Sequence, residues 1–280
     1  MKWKRGPVSG DIEDRRGMRM SRVGGGLGLG GALVVIVLSL IFGQDLTGVI
    51  GGGQAPAVQT DSGQISETPE ERERVAFVSF VLDSTQNYWQ RAFAANGNDY
   101  QRARLVLYRE LTNTACGYGQ TASGPFYCPL DQKVYIDLSF FDDLDRRFGA
   151  PGDFAQAYVL AHEVGHHVQT LLGIDRQVRQ LQQSNPGAAN QIQVRMELQA
   201  DCLAGMFGNE MAAMGILERG DIEEGLGAAS AVGDDRIQRE TQGHVNPDAF
   251  THGSAAQRAE WFRRGLQSGR IQECDTFGRG

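Results

Sequence analysis

The stretch VLAHEVGHHVQTLLG, residues 159–173, combines residue types that can bind a metal ion and hydrolyse a bond. His162 and His166 are four residues apart, so on a helix both imidazoles project from one face and can bind the same ion. Catalytic zinc takes three protein ligands and keeps its fourth position for water. Glu163 lies about 100° further round the helix, where its carboxylate can accept a proton from that water. The spacing predicts a hydrolytic zinc site with Glu163 as general base.

A candidate for the third ligand lies in the segment RMELQAD, residues 195–201. Glu197 and Asp201 are again four residues apart, so one carboxylate can bind zinc while the other accepts the ring N–H of a ligating histidine. Most of their neighbours are apolar, and a buried carboxylate is costly unless it is paired or bound to a metal. The alternative for these two residues is a solvated helix face.

Several motifs together resemble a known protein family. They include GAPGDFAQAYVLAHEVGHHVQTLLGI, VRMELQADCLAGMF and FTHGSAAQRAEWFRRG, and the likeness extends to IEDRRG near the start and CDTF near the end of the chain. These motifs are similar to those of the putative neutral zinc metallopeptidase family of bacteria, a gluzincin-like group. The resemblance implies a zinc peptidase that binds one Zn²⁺ per chain through His162, His166 and Glu197. It also implies Glu163 as general base and Asp201 as the residue behind a ligand.

A further candidate catalytic residue, His252, precedes the last predicted helix in FTHGSAAQR. Together with Arg258 it is similar to a C-terminal motif of membrane CaaX-type zinc peptidases. We expect His252 to stabilise the oxyanion that forms during amide hydrolysis. The alternative is a surface histidine near a helix cap. Arg258 either orients His252 or pairs with an acid, and Asp234 or Asp235 in GDDRIQ can brace the site.

The charge of the chain is unevenly distributed. The net charge is −7 over 280 residues, yet the first 22 residues carry seven Lys/Arg and only three Asp/Glu. The rest of the chain is therefore strongly acidic. Because binding to phosphate backbones requires a basic surface, we expect no nucleic-acid partner.

Residues 23–43 contain no charged side chain and include the apolar run ALVVIVLSLIF. A helix of about 20 apolar residues crosses a bilayer, so this segment predicts one transmembrane anchor. The positive-inside tendency then places a basic head, residues 1–22, in the cytoplasm. A flexible linker at 44–68 and a peptidase domain at 69–280 follow, outside the cytoplasm. The predicted location is the inner (plasma) membrane, with a periplasmic catalytic domain. A cleaved signal peptide is the alternative.

The four cysteines, Cys116, Cys128, Cys202 and Cys274, all follow the predicted anchor. None forms the Cys-x-x-Cys pattern that is typical of zinc or redox sites. Export permits structural disulfides, and the economical pairing joins Cys116 to Cys128 and Cys202 to Cys274. Two other pairings are possible, and four free buried thiols remain an alternative.

The pattern of apolar residues predicts mainly helices. The capping sequence at residues 68–71 predicts a long helix from Pro69, and further helices carry the two motifs or begin at Asp221 and Ser254. Residues 104–111 and 133–141 alternate and are rich in strand formers. The expected fold is α+β: a mostly helical, zincin-like metallopeptidase domain with a small antiparallel sheet, preceded by one transmembrane helix.

The predicted function is zinc-dependent hydrolysis of peptide bonds outside the cytoplasm, with a peptide or protein as substrate. A different class of function is a catalytically silent zinc-binding scaffold or interaction protein of the cell envelope. A hydrolase of other amide bonds, such as those of cell-wall peptides, would use the same ligands. The ligands alone do not separate this possibility from a protease.

Overall fold

The structure is a computed structural model that describes residues 1–20, 60–62 and 65–278. Its strands are β1 (Ile12–Asp14), β2 (Met18–Met20), β3 (Thr60–Ser62), β4 (Arg104–Tyr108), β5 (Leu111–Thr114), β6 (Gly117–Gln120), β7 (Phe126–Cys128) and β8 (Lys133–Asp137). Its α-helices are α1 (Pro69–Ala94), α2 (Phe140–Arg146), α3 (Asp153–Leu171), α4 (Ile174–Ser184), α5 (Ala189–Ala213), α6 (Asp221–Ala231), α7 (Asp234–Gln242) and α8 (Ala255–Ser268). A short 3₁₀ helix, Ile271–Cys274, follows α8.

The main sheet has the strand order β1-β4-β8-β7. Strands β1, β4 and β8 are parallel, and only β7 runs antiparallel to its neighbour β8. The prediction of a small antiparallel sheet is therefore wrong for this sheet. The chain between β4 and β8, residues 109–132, is long enough to return to the starting edge, so the two strands run in the same direction. That connection forms the antiparallel pair β5–β6 and then β7 on its way.

Strand β4 is buried on both faces, and its alternating side chains divide the core into two parts. Leu105 and Leu107 join the large cluster formed with α1 and α3, whereas Val106 and Tyr108 lie in a smaller cluster with Cys128 and Tyr135. The period of two along a strand sends successive residues to opposite faces. The helix α3 therefore rests on a sheet whose two central strands, β4 and β8, are largely buried.

Three helix starts are as predicted, since α6 begins at Asp221 and the other two carry the expected caps. Thr68 and Glu71 form a reciprocal capping box at the start of α1, and Ser254 and Gln257 do the same for α8. Helix α5 begins at Ala189, because the residues from Pro186 form a separate 3₁₀ turn. The capping boxes satisfy backbone N–H groups that have no partner within the helix.

Helices α5 and α8 cross with their backbones in contact. A Cβ atom added at Gly265 would overlap the carbonyl oxygen of Cys202, and one added at Gly205 would overlap that of Phe262. Only glycine permits an approach this close. The crossing brings the second half of α8, at Phe262 and Gly265, against the middle of α5, where Cys202 and Gly205 lie.

The first 20 residues pack on the domain. Strand β1 extends the main sheet through β4, the Ser9 hydroxyl donates to Asp83 at 2.7 Å, and the Met1 amine lies 2.7 Å from a carboxylate oxygen of Asp153. The predicted location placed these residues and the domain on opposite sides of a membrane. That location is wrong, because a strand cannot pair with a sheet across a bilayer.

No helix within residues 1–20, 60–62 and 65–278 combines the length and the apolar character needed to cross a bilayer. The segment predicted as an anchor, residues 23–43, lies outside these residues, as does most of the linker predicted for 44–68. The expected transmembrane helix is thus not found in the described fold. The fold of the described residues is therefore a mostly helical α+β fold without a transmembrane helix, and the predicted single-pass membrane topology is wrong.

All four cysteines are paired. One disulfide joins Cys116 to Cys128, and the other joins Cys202 on α5 to Cys274 in the final 3₁₀ helix. The economical pairing is confirmed. The first bond closes a loop of the β5–β7 region, whereas the second ties the end of the described chain to the helix that carries Glu197.

Candidate metal centre

Helices α3 and α5 bring the three predicted ligands together. Gly165 lies between the two histidines, and a Cβ added there would sit 3.2 Å from the carbonyl oxygen of Ala200 on α5. The helices therefore approach closely at this level. The Nε2 atoms of His162 and His166 each lie 3.3 Å from Oε2 of Glu197. The three donor atoms lie within 4.8 Å of one another, so they can bind one metal ion.

These distances fit zinc. Nitrogen and oxygen ligands lie about 2.0–2.2 Å from zinc, so two ligands at tetrahedral angles are about 3.3–3.5 Å apart. The separation of each imidazole nitrogen from the Glu197 oxygen agrees with that edge. Two imidazoles and one carboxylate also form a donor set of the kind found in catalytic zinc sites. The residues present therefore fit a zinc ion.

Asp201 holds His162 from behind. Its Oδ1 lies 2.8 Å from Nδ1 of His162, so the imidazole presents Nε2 to the metal position. Asp201 is completely buried and also accepts hydrogen bonds from Nε of Arg258 at 2.9 Å and from the hydroxyl of Tyr158 at 2.5 Å. Arg258 thus pairs with an acid, and that acid is the support of a ligand.

His166 and Glu197 are held by amide groups. Nδ1 of His166 lies 2.8 Å from Oε1 of Gln169, and Gln193 donates to Oε1 of Glu197 at 2.9 Å. Neither glutamine was predicted from the sequence as part of the site. Gln169 follows His166 by three residues and Gln193 precedes Glu197 by four, so each shares a helix face with its ligand. That spacing is the signal that could have found them.

Burial and neighbouring charges shift the pKa values in the site. Burial alone would lower the pKa of His162, but the carboxylates of Asp201 and Glu197 raise it to about 9. Burial would raise the pKa of Glu197, yet the charge of His166 and the hydrogen bonds of both histidines hold that pKa well below its usual range. The buried carboxylates of the site outnumber its one permanent cation, Arg258, so the site lacks compensating positive charge. A divalent cation would supply that positive charge.

Glu163, which the sequence predicts as the general base, is a buried carboxyl next to the ligand positions. It is buried, with 7% of its surface exposed, and lies on α3 directly after the first ligand. Burial raises the pKa of its carboxyl, and this outweighs the opposing charges of His162 and His166. A raised pKa makes a carboxylate a better proton acceptor near neutral pH.

His252 is an exposed residue between the buried Thr251 and Gly253, in a loop that is fastened to α7. Oδ2 of Asp234 accepts the backbone N–H groups of Thr251, His252 and Gly253 at 2.7, 2.6 and 3.0 Å. Oδ1 of Asp234 lies 3.3 Å from Nδ1 of His252, whose side chain is 52% exposed. Asp234 therefore braces the loop that carries His252, and Asp235 accepts the backbone N–H of Ala255 at 2.7 Å, whereas the sequence predicted that one of the two would brace the site itself. The charge of His252 contributes to lowering the pKa of Glu197, after the larger effects of burial and of the ligating histidines.

The sequence profile of the family described as "Putative neutral zinc metallopeptidase" matches residues 1–277. The chain belongs to this family. The resemblance read from the motifs is therefore confirmed at the level of the family, while its gluzincin-like placement stays a prediction. In this chain His162, His166 and Glu197 are positioned to bind a metal ion, and the family description suggests that the ion is zinc.

Relatives occur in distant bacteria. "Uncharacterized protein YpfJ" of Escherichia coli K12 is 49% identical over 291 aligned residues, which cover 100% of this chain and 99% of the relative. "Uncharacterized protein Rv2575" of Mycobacterium tuberculosis H37Rv and "Uncharacterized protein Mb2605" of Mycobacterium bovis are each 47% identical over 189 residues. These cover 64% of this chain and 63% of each relative. No solved structure matches the chain.

Proposed function

We propose that this protein is a zinc-dependent peptidase that hydrolyses peptide bonds in a peptide or protein substrate. The observation that carries the proposal is the convergence of His162, His166 and Glu197 on one point, with Glu163 on the same helix as the two histidines. A purely structural zinc site normally has four protein ligands, whereas a catalytic site has three and an open position. The three donors here match the catalytic pattern.

The reaction follows from the environment of each side chain. Zinc, when bound, polarises a carbonyl oxygen and lowers the pKa of water to about 7. Glu163 accepts the proton of the attacking water, since burial has raised the pKa of its carboxyl. The same carboxyl then donates that proton to the leaving amine. Asp201 and Gln169 keep both imidazoles aligned during this exchange.

We propose that His252 stabilises the oxyanion of the tetrahedral intermediate. Its side chain is accessible to a substrate, and the braced loop fixes the position of its backbone. An imidazole N–H can donate a hydrogen bond to developing negative charge, which lowers the barrier more than a mobile donor would.

The test compares the zinc content and the peptidase activity of the full chain with those of Glu163→Gln. Glu260→Gln, the same change at an exposed position on α8, is the matched control. We expect Glu163→Gln to retain zinc and to lose activity by about 10²- to 10⁴-fold, because only proton transfer is removed. Cleavage is followed by mass spectrometry on a broad peptide library that includes cell-wall peptides. Equal activity of Glu163→Gln and wild type would disprove the assigned base, and a zinc-loaded wild type that cleaves nothing would favour a scaffold.

A further inference from the structure

The orientation of Gln169 determines the state of a metal ligand. Its Nε2 donates to the backbone carbonyl of Met196 at 2.8 Å, and a carbonyl oxygen can only accept. The side-chain oxygen of Gln169 must therefore face Nδ1 of His166, which lies 2.8 Å away. Nδ1 then carries the proton, and Nε2 keeps the lone pair that a metal requires.

The same amide continues to a second glutamine. Nε2 of Gln169 also donates to Oε1 of Gln199 at 3.0 Å, and Nε2 of Gln199 donates to the backbone carbonyl of Cys274 at 3.0 Å. Gln169 is fully buried and Gln199 is 8% exposed, so water is a poor substitute for these partners. A directional chain of hydrogen bonds thus runs from His166 to Cys274.

The far end of this chain is covalently fixed. The Cys202–Cys274 disulfide binds Cys274 to α5, the helix that also carries Gln199 and Glu197. Cys274 itself is buried in the core, whereas the other side-chain hydrogen bonds and ion pairs of this terminal segment are at the surface, such as the hydroxyl of Thr276 on the Arg195 carbonyl and the exposed pairs of Glu273 with arginines. Exposed contacts of this kind contribute little to stability. The disulfide is therefore the one covalent link that ties the carbonyl bound by Gln199 directly to α5.

We propose that Gln169, Gln199 and the Cys202–Cys274 disulfide form a positioning chain that prepares His166 to bind zinc, so that zinc affinity depends on the oxidation state of this disulfide. The inference rests on the zinc site of the proposed function. Reduction by a small dithiol breaks the sulfur–sulfur bond, moves two hydrogens to Cys202 and Cys274, and leaves the dithiol as a cyclic disulfide. The Cys274 carbonyl then loses its tether, and the orientation of the two amides loosens.

The experiment measures zinc affinity by chelator competition and the visible spectrum of the cobalt-substituted full chain. We expect Gln169→Ala to bind zinc about 10- to 100-fold more weakly. For Gln199→Ala the expected loss is smaller, roughly threefold to tenfold, because the Met196 carbonyl still holds Gln169. The paired change Cys202→Ser with Cys274→Ser is expected to match Gln199→Ala, and the cobalt spectrum should shift in all three.

The second disulfide supplies the matched control. Cys116→Ser with Cys128→Ser leaves only the Cys202–Cys274 bond and should bind zinc as the wild type does. Dithiol treatment of this variant, with the reductant removed under exclusion of oxygen before titration, should weaken zinc binding. The same treatment should leave the Cys202→Ser, Cys274→Ser variant unchanged.

The outcomes separate this inference from the proposed function. If wild type binds zinc and Gln199→Ala, while folded, gives the same affinity and cobalt spectrum as wild type, the positioning chain is wrong. Because Gln199→Ala keeps the disulfide, it tests the positioning chain even if the variant without the disulfide does not fold. Wild type that binds no zinc overturns the metal site and the inference together. Wild type that binds zinc with the expected variant effects but cleaves no peptide supports the chain and contradicts only the peptidase function.

Discussion

The two histidines that are positioned to bind a metal ion are supported in different ways. His162 is held by the buried carboxylate of Asp201, which is itself bound by Arg258 and Tyr158. His166 is held by the neutral amide of Gln169. Hydrogen bonds to an ionised acceptor are roughly twice as strong as those between neutral groups. His162 is thus the more firmly held ligand, and His166 is the one whose position can be adjusted from elsewhere in the molecule.

The charged pair behind His162 has a desolvation cost that the neutral amide behind His166 lacks. Asp201 and Arg258 are both buried, so each depends on the other to compensate its charge. The amides near His166 carry no charge, and losing one partner leaves only unmet hydrogen bonds. Mutations on the two sides should therefore differ in their effect on folding as well as on zinc binding.

The largest effect is expected from Asp201→Ala. It frees His162 and leaves Arg258 buried without its partner, so stability should fall by about 3–5 kcal/mol and zinc affinity by about 100-fold. Urea unfolding and chelator competition measure the two losses. Adding Arg258→Met should restore stability but not zinc affinity. If the double variant regained both, Asp201 would have no role in holding the ligand.

An intermediate effect is expected from Gln169→Glu. The carboxylate can still accept from His166, but it cannot donate to the Met196 carbonyl or to Gln199. Leaving these acceptors unmet should reduce stability by about 1–3 kcal/mol. Thermal unfolding of the metal-free protein provides the measurement. An unchanged melting temperature would mean that water replaces the lost donor. The hydrogen bonds of Gln169 to α5 would then contribute nothing to the stability of the fold.

The smallest effect is expected from Gln193→Ala, which removes the partner of the Glu197 oxygen that faces away from the histidines. Gln193 is partly exposed, so water can take its place, and the loss should be about 0.5–1.5 kcal/mol in zinc binding. Chelator competition against wild type measures it. A loss as large as that of Asp201→Ala would show that the third ligand, rather than His162, depends most on its support.

Local spacing predicted the centre of the site well. The positions of His162, Glu163 and His166 follow from helix geometry, and so does the role of Asp201 behind a ligand. The helix starts at Thr68 and Ser254 were predictable for the same reason, since a capping box involves residues only three apart.

The predictions that failed concerned distant parts of the chain. The apolar composition of residues 23–43 suggested an anchor with the head on the far side of a membrane, but β1 pairs with β4 in the main sheet. Strand direction was also wrong, because alternation along β4 and β8 shows which faces are buried and says nothing about the sense of the pairing.

The sequence by itself determined that His162 and His166 share one helix face and that Glu197 and Asp201 share another, because a helix fixes the relation of side chains three and four positions apart. It also limited the cysteines to a few pairings. Only the tertiary structure decided that Arg258 would reach Asp201, 57 residues away, and that Gln199 would reach Cys274, 75 residues away. Such contacts depend on how closely α5, α8 and the terminal segment pack against one another, and no local pattern of residues predicts that packing.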